Sequence, residues 1–413
     1  MSDTDQRPSR WMDRKTAPHI TTLVVVAGIT ALSMNMFLPS LPGMAIYFDT
    51  EFSVVQLAIS AYLGVTAVLQ LIIGPLSDRY GRRPIILWGL GLFVLATLGC
   101  LLAPTIEIFL MFRMMQGTVA VGLVLSRAVV RDMVPPDQAA SMIGYVTMGM
   151  SLVPMFGPMI GGFLDGAFGW QASFVTLLIF GIIVFAICWM NLGETNQHKS
   201  ASFGAQFKAY PQLVRSRRFW GYSATAAFAS GAFFAFLGGA SFVATKVLGL
   251  SAQQLGMFFG IVATGYLVGN FFAGRYSQRV GINLMMLGGT SVGTLGALAI
   301  LIMFYMGLNH PLVFFGPMFF VGLGNGMTLP NANAGIVSVR PQLAGSASGL
   351  GGALMIGGGA IISAVTGSLL SEAHPIFPLL IIMFAVSTAA IFTSLYVIYV
   401  ASNADELGED QFQ

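Results

Sequence analysis

The sequence predicts an all-α membrane protein, with twelve helices arranged as two similar six-helix bundles. Three observations carry that prediction. Charged residues make up only 8% of the 413 residues and hydrophobic ones 56%, whereas a soluble chain carries roughly 25% charge. Twelve apolar stretches begin near residues 20, 54, 84, 106, 138, 170, 219, 252, 282, 311, 342 and 376. Each is about 20 residues or longer, the length that crosses roughly 30 Å of hydrocarbon. Finally, residues 74–81 read Gly-Pro-Leu-Ser-Asp-Arg-Tyr-Gly, and residues 274–281 read Gly-Arg-Tyr-Ser-Gln-Arg-Val-Gly. Gly74/Gly274, Ser77/Ser277, Arg79/Arg279 and Gly81/Gly281 coincide, each copy lying between two apolar runs. Such a repeat places the element at the loop between the second and third helix of each bundle, an internal duplication typical of carriers. Strands would need alternating patterns of about 10 residues, and none occurs.

The elements follow in order. Residues 1–18 are polar and lead into an uninterrupted hydrophobic helix with no small-residue cleavage site, so no removable leader is expected. Residues 19–192 hold the first six helices. A hydropathy dip at 193–218, with Glu194, His198, Lys199, Lys208, Arg215, Arg217 and Arg218, reads as a cytoplasmic linker. Residues 219–402 hold the second six, and 403–413 form an acidic tail. With both termini in the cytoplasm, 17 of the 19 basic residues fall on that side. Lys246 alone lies outside and Arg113 sits within a helix. This asymmetry obeys the positive-inside rule and explains the net charge of +3 without nucleic acid. Cys100 and Cys188 lie in apolar helices and read as buried free thiols. The fifty glycines suit close helix packing in lipid. Gly345 and Gly349 have the spacing for it, and Gly357, Gly358 and Gly359 mark a point of bending in the same helix.

In the first loop cassette, extended to Pro84, Gly74 and Gly81 permit a tight reversal, and Asp78 can bond a helix N-terminus or pair with arginine. Arg79, Arg82 and Arg83 face the cytoplasm and anionic lipid. A plain basic turn would set topology too, but it would not need this spacing of Gly, Asp and Arg.

The cassette resembles the loop signature of the major facilitator superfamily nearly residue for residue. Arg113-Met-Met-Gln116-Gly117 resembles the fourth-helix motif of its twelve-helix drug-efflux branch, and the run from Gly149 to Gly162 its fifth-helix antiporter motif. Residues 33–42, Arg131-Asp132, Gly169-Trp-Gln171 and residues 344–348 are similar to the bicyclomycin/chloramphenicol-resistance group. The resemblance spans residues 20–400. It implies the facilitator fold and export of amphipathic drugs across a bacterial inner membrane by proton antiport. It also implies a monomer.

The candidate residues follow from both sources. A cation costs about 2.5–3.5 kcal/mol at the centre of a membrane helix. Arg113 therefore either snorkels to the outer headgroups or, as the resemblance implies, sits with Gln116 beside a central cavity. Asn35 stands where the group carries an acid, and an amide cannot titrate. Asp49, Glu51, Glu107, Asp165 and Glu372 lie near the periplasmic face and the other acids near the cytoplasm, so no carboxylate falls at mid-membrane. His19, at the mouth of the first helix, reads as a capping residue rather than a proton carrier. Gly74, Asp78, Arg79, Gly81, Arg82 and Arg83 form an expected cytoplasmic latch, with Arg131, Asp132 and the region of Gln342. Pro154 and Pro158 disturb the fifth helix, and with Gly157 and Gly161 give a kinked, close-packed face. It reads equally as a passive kink or as the contact between halves. Met36, Phe37, Tyr62, Tyr222, Phe233, Phe234, Phe236, Asn325, Thr328, Asn331, Asn333 and Met355 are candidates for the substrate wall. Aromatic and methionine side chains suit varied ligands, and amides are disfavoured against lipid; each fits ordinary packing as well. No metal spacing, phosphate loop or nucleophile–base pair is present, so no enzyme activity or cofactor is expected and ATP is not its energy source.

Overall fold

The computed structural model describes residue 14 and residues 18–133, 153, 156–196, 210–340, 343–371, 373 and 375–403. Among these there is no strand. Eleven helices are long and apolar enough to cross a membrane. They are α1 (Ile20–Tyr47), α2 (Phe52–Tyr80), α3 (Arg82–Leu102), α4 (Ile106–Val130), α6 (Gln171–Asn191), α7 (Arg217–Val247), α8 (Ala252–Val280), α9 (Ile282–Tyr305), α10 (Pro311–Ser338), α11 (Ser346–Leu369) and α12 (Phe377–Ser402). Between α4 and α6, residues 156–168 are helical and belong to α5. Many large apolar side chains, Trp88 and Phe392 among them, point outward. Such a surface is costly in water and suited to acyl chains.

The sequence repeat is also a repeat of geometry. Gly81 and Gly281 end α2 and α8 with φ of +107° and +88°. In both copies the glycine N–H bonds the carbonyl of the serine four residues earlier, Ser77 or Ser277, at 2.9 Å. A side chain would be strained at that φ, which is why glycine recurs there.

Glycine spacing acts elsewhere than expected. Gly349 faces open space, so it does not bring two helices together, and the surroundings of Gly345 lie outside what the structure describes. The close approach lies between α8 and α10. A Cβ on Gly265 or Gly269 would fall within 2.1 Å of the α10 carbonyls of Phe319 or Leu323, and one on Gly322 or Gly326 within 2.3 Å of those of Val262 or Tyr266. The three glycines at 357–359 do not break α11, which runs as one helix. Gly359 leaves room for the Phe234 ring, 2.2 Å from where a Cβ would stand.

Local backbone departures have sequence causes. Pro39 and Pro42 tighten α1 into a 3-10 turn at Leu38–Ser40. His19 caps α1, its ring accepting from Thr21 N–H, and its own N–H bonds Asn191 Oδ1 at 3.1 Å. Cys100 and Cys188 are buried and free.

Candidate functional site

Arg113 is fully buried, at 0% exposure, which removes the snorkelling alternative. The first four helices build its surroundings. Its Nε donates to Ala58 O on α2 at 3.1 Å. One terminal nitrogen donates to Ser33 O on α1 at 2.9 Å, and the other to Gln116 Oε1 at 2.6 Å and Ser33 Oγ at 3.3 Å. The guanidinium lies 4.0 Å from the Tyr62 ring centroid and 4.4 Å from that of Phe37. Gln116 in turn donates to Thr97 Oγ1 on α3 at 2.7 Å. The charge is held by carbonyl dipoles and two aromatic faces, since no carboxylate pairs with it among the described residues. The backbone at Gln116–Ala120 is drawn into 3-10 geometry, and Gly117 lets α4 approach Val65 and Thr66 of α2.

Asn35 is buried two residues beyond this cluster's Ser33, about half a turn further along α1. Its amide nitrogen donates to Ala31 O at 2.9 Å, while Oδ1 is buried without a partner. It faces α5. A Cβ on Gly157 would contact the Asn35 Cβ at 3.7 Å, and one on Gly161 would fall 1.7 Å from Met36 O. The same helix meets the other half: a Cβ on Gly162 would stand 2.4 Å from Ala252 O, and one on Gly256 would stand 2.6 Å from Pro158 O. The motif segment thus joins α1 within its own half to α8 in the other. Pro154 and Gln342 lie outside the described residues, as does the Arg131 side chain.

At the cytoplasmic turn, Arg82 bonds Asp78 and Ser77 through one nitrogen and Asp132 through Nε at 3.0 Å. Arg83 donates to Leu192 O at 2.8 Å and lies over the Trp189 ring, on which Arg14 also rests. Arg79 is exposed beside Tyr80. Sequence reasoning missed the residue that organises this turn. Glu194 accepts from the N–H groups of Arg82 at 2.8 Å and Arg83 at 3.3 Å, occupying the anion position at the α3 N-terminus. Asn196 donates to the Ser77 and Asp78 carbonyls at the end of α2. Thr195 bonds Asp132. The beginning of the linker is therefore built into the cassette. The only sequence signal was an acid and an amide just after an apolar run.

The proposed wall residues divide. Phe37, Tyr62 and Met36 are buried within the first half. Tyr222 is buried, donates to Asn283 Oδ1 at 2.9 Å and packs on Gly335. Phe236 is core, stacked among Phe259, Phe314 and Phe315. Asn325 and Thr328 line a minute gap inside the second half with Thr290 and Ser387. Asn331 bonds Met327 O of its own helix. Phe234 is buried against Gly359. Phe233 and Met355 are partly exposed, and Asn333 is exposed.

The halves meet toward the periplasm. Gln56 of α2 donates to Ser363 O of α11 at 2.5 Å, Ser241 of α7 to Leu38 O at 2.6 Å, and Phe52 packs on Phe242 at 5.3 Å. Outside this seam lies a cleft of about 730 Å³, lined by Asp49 and Asp165 from one half and Lys246 from the other.

Comparison with known proteins agrees with this geometry. The chain is 31% identical over 377 residues to the uncharacterized MFS-type transporter YdgK of Bacillus subtilis, covering 90% of this chain and 93% of the relative. It is 31% identical over 333 residues to the chloramphenicol resistance protein of Pseudomonas aeruginosa, covering 79% of each. Among solved structures, the D-xylose-proton symporter superposes with a TM-score of 0.70 at 15% identity, covering 92% of this chain and 96% of that one; this likeness shows the fold. The profile of the Major Facilitator Superfamily matches residues 23–364. With two pseudo-symmetric bundles, a doubled loop cassette and relatives matched along 93% and 79% of their lengths, the chain is a multi-pass membrane transporter that belongs to the Major Facilitator Superfamily.

Proposed function

We propose that this chain exports amphipathic small molecules of the chloramphenicol or bicyclomycin kind across the bacterial inner membrane, as a monomer, by alternating access. The similarity to the chloramphenicol resistance protein over 79% of both chains carries this reading. The seam supports it, because its bonds at Gln56–Ser363 and Ser241–Leu38 close the periplasmic side. On this reading, the closed periplasmic seam belongs to the state that takes up substrate from the cytoplasm. Phe233, Asn333 and Met355 are the residues we assign to the substrate wall. Arg113, with Gln116, is assigned to coupling: its bonds tie α1, α2 and α4 into one unit that moves together. The Asp78–Arg82–Asp132 group, with Glu194, is the cytoplasmic latch.

Proton antiport is part of the proposal, and Asn35 favours a second reading, a facilitator of the same fold indifferent to pH gradients. Counterflow in proteoliposomes separates the two. Antiport requires chloramphenicol flux to rise several-fold when the trans side is acidified; equal flux with and without the gradient supports the facilitator. Absence of flux for every amphipath tried would refute both.

A further inference from the structure

The seam between α2 and α11 carries two glutamines of α2, Gln56 and Gln70, fourteen residues or about four turns apart and so on one face. Each stands opposite a glycine of α11, Gly367 for the outer and Gly352 for the inner. Their states differ. The inner amide nitrogen is buried with no partner. The outer one donates to Ser363 O at 2.5 Å and Ser363 Oγ at 3.2 Å, and Gln56 is 1% exposed.

The outer amide occupies a socket that only glycine leaves open. A Cβ on Gly367 would fall 1.7 Å from Gln56 Oε1, and one on Gly238 of α7 would fall 2.9 Å from Gln56 Nε2. One side chain of the first half thus fills a gap between two helices of the second. We propose that Gln56, seated between Gly238 and Gly367 and bonded to Ser363, is the releasable latch of the outer gate, and that its withdrawal opens the carrier to the periplasm. This rests on the alternating-access reading and names the residue that sets its balance.

The chemistry suits a gate that must open each cycle. A buried ion pair would be slow and costly to separate, because each charge must be rehydrated. A neutral amide leaving a backbone carbonyl exchanges one bond for bonds to water, a net change of modest size. The position suits it too, since Gln56 lies about one turn from the outer end of α2 and periplasmic water reaches both partners once the halves part.

The test measures distances, not transport. Spin labels at Tyr47 and Leu308 span the outer face, and labels at Tyr80 and Val280 span the inner face; all four side chains are exposed. In the unmodified chain in nanodiscs, the outer pair should be mostly short and the inner pair mostly long. Gln56→Ala removes the latch, and Gly367→Ala fills its socket while leaving Gln56 in place. Both should raise the ratio of outward-open to inward-open molecules about tenfold or more, with the inner pair shortening in step. Ser363→Ala keeps the carbonyl acceptor and should move the ratio less than either. If Gln56→Ala fails to insert, Gly367→Ala alone decides. Unchanged distances in the variants that insert would overturn the proposal. So would a lengthened outer pair without a shortened inner one, which would be local fraying. No drug is present, so a carrier of some other cargo would still show the latch, and a chain that switches yet exports nothing would sink only the export reading.

Discussion

Arg113 shows what a single residue must satisfy in a bilayer. Its guanidinium is wholly buried, and it is stable there because its donors reach two backbone carbonyls, a serine and a glutamine between two rings. Lysine offers three donors around a point and cannot reproduce that planar fork. Arg113→Lys should therefore lower export at least about tenfold, and Arg113→Ala should abolish it, since each unpaired buried carbonyl costs about 1–3 kcal/mol. Drug accumulation normalised to membrane level measures this, and unchanged export by the lysine variant would remove the fork from the mechanism. Asn35 is the complementary case. Its Oδ1 has no donor, so a carboxyl fits the same space. Asn35→Asp should make flux depend on the pH gradient more steeply than in the parent chain; an identical gradient response would show that this position takes no part in coupling. Arg113 was legible in the sequence as an intramembrane charge. Its partners were not, because Ala58 and Ser33 act through backbone carbonyls, which every residue possesses.

At the scale of elements, the turn between α2 and α3 is held from outside. Gly81 supplies the positive φ, but Glu194 and Asn196 satisfy the helix ends that the turn exposes. Glu194→Ala should lower the melting temperature of the purified protein by about 1–2 °C, an effect of about 1–2 kcal/mol, in line with lost caps elsewhere. An unaltered melting curve would mean that water caps α3 equally well. On α5, Gly161→Val would drive a side chain into the Met36 carbonyl, and folded protein in the membrane should fall sharply. Normal yield of a monodisperse variant would contradict the packing described. Helix number and order were readable because length and apolarity suffice to mark a span. The glycines that carry helix contacts were not. Gly265 and Gly269 have the same spacing as Gly345 and Gly349, and only the facing helix decides whether that spacing is used. The residues proposed as a substrate wall suffered similarly. Tyr222 and Phe236 lie on inward helices, yet they pack within their own half, and sequence cannot tell the inside of a bundle from the space between two.

For the whole molecule, the pseudo-symmetry is geometric but not electrostatic. Both cassettes close on glycine with the same serine bond, while only the first carries an acid, Asp78 where the second has Gln278. Only Gly81 has a carboxylate packed on it; Gly281 meets open space. The halves are therefore alike in shape and unequal in how firmly their loops are fixed. Among the described residues the outer contacts are amides, hydroxyls and rings rather than ion pairs, which lets the halves separate at small cost. A two-part carrier of this kind lowers the cytoplasmic level of an amphipathic drug. Its most direct measurement is accumulation of labelled chloramphenicol in pump-deficient bacteria expressing the chain or its Arg113→Ala variant at equal membrane levels. Accumulation should fall with the parent chain and be full with the variant. Equal accumulation in both strains and in cells lacking the chain would contradict it.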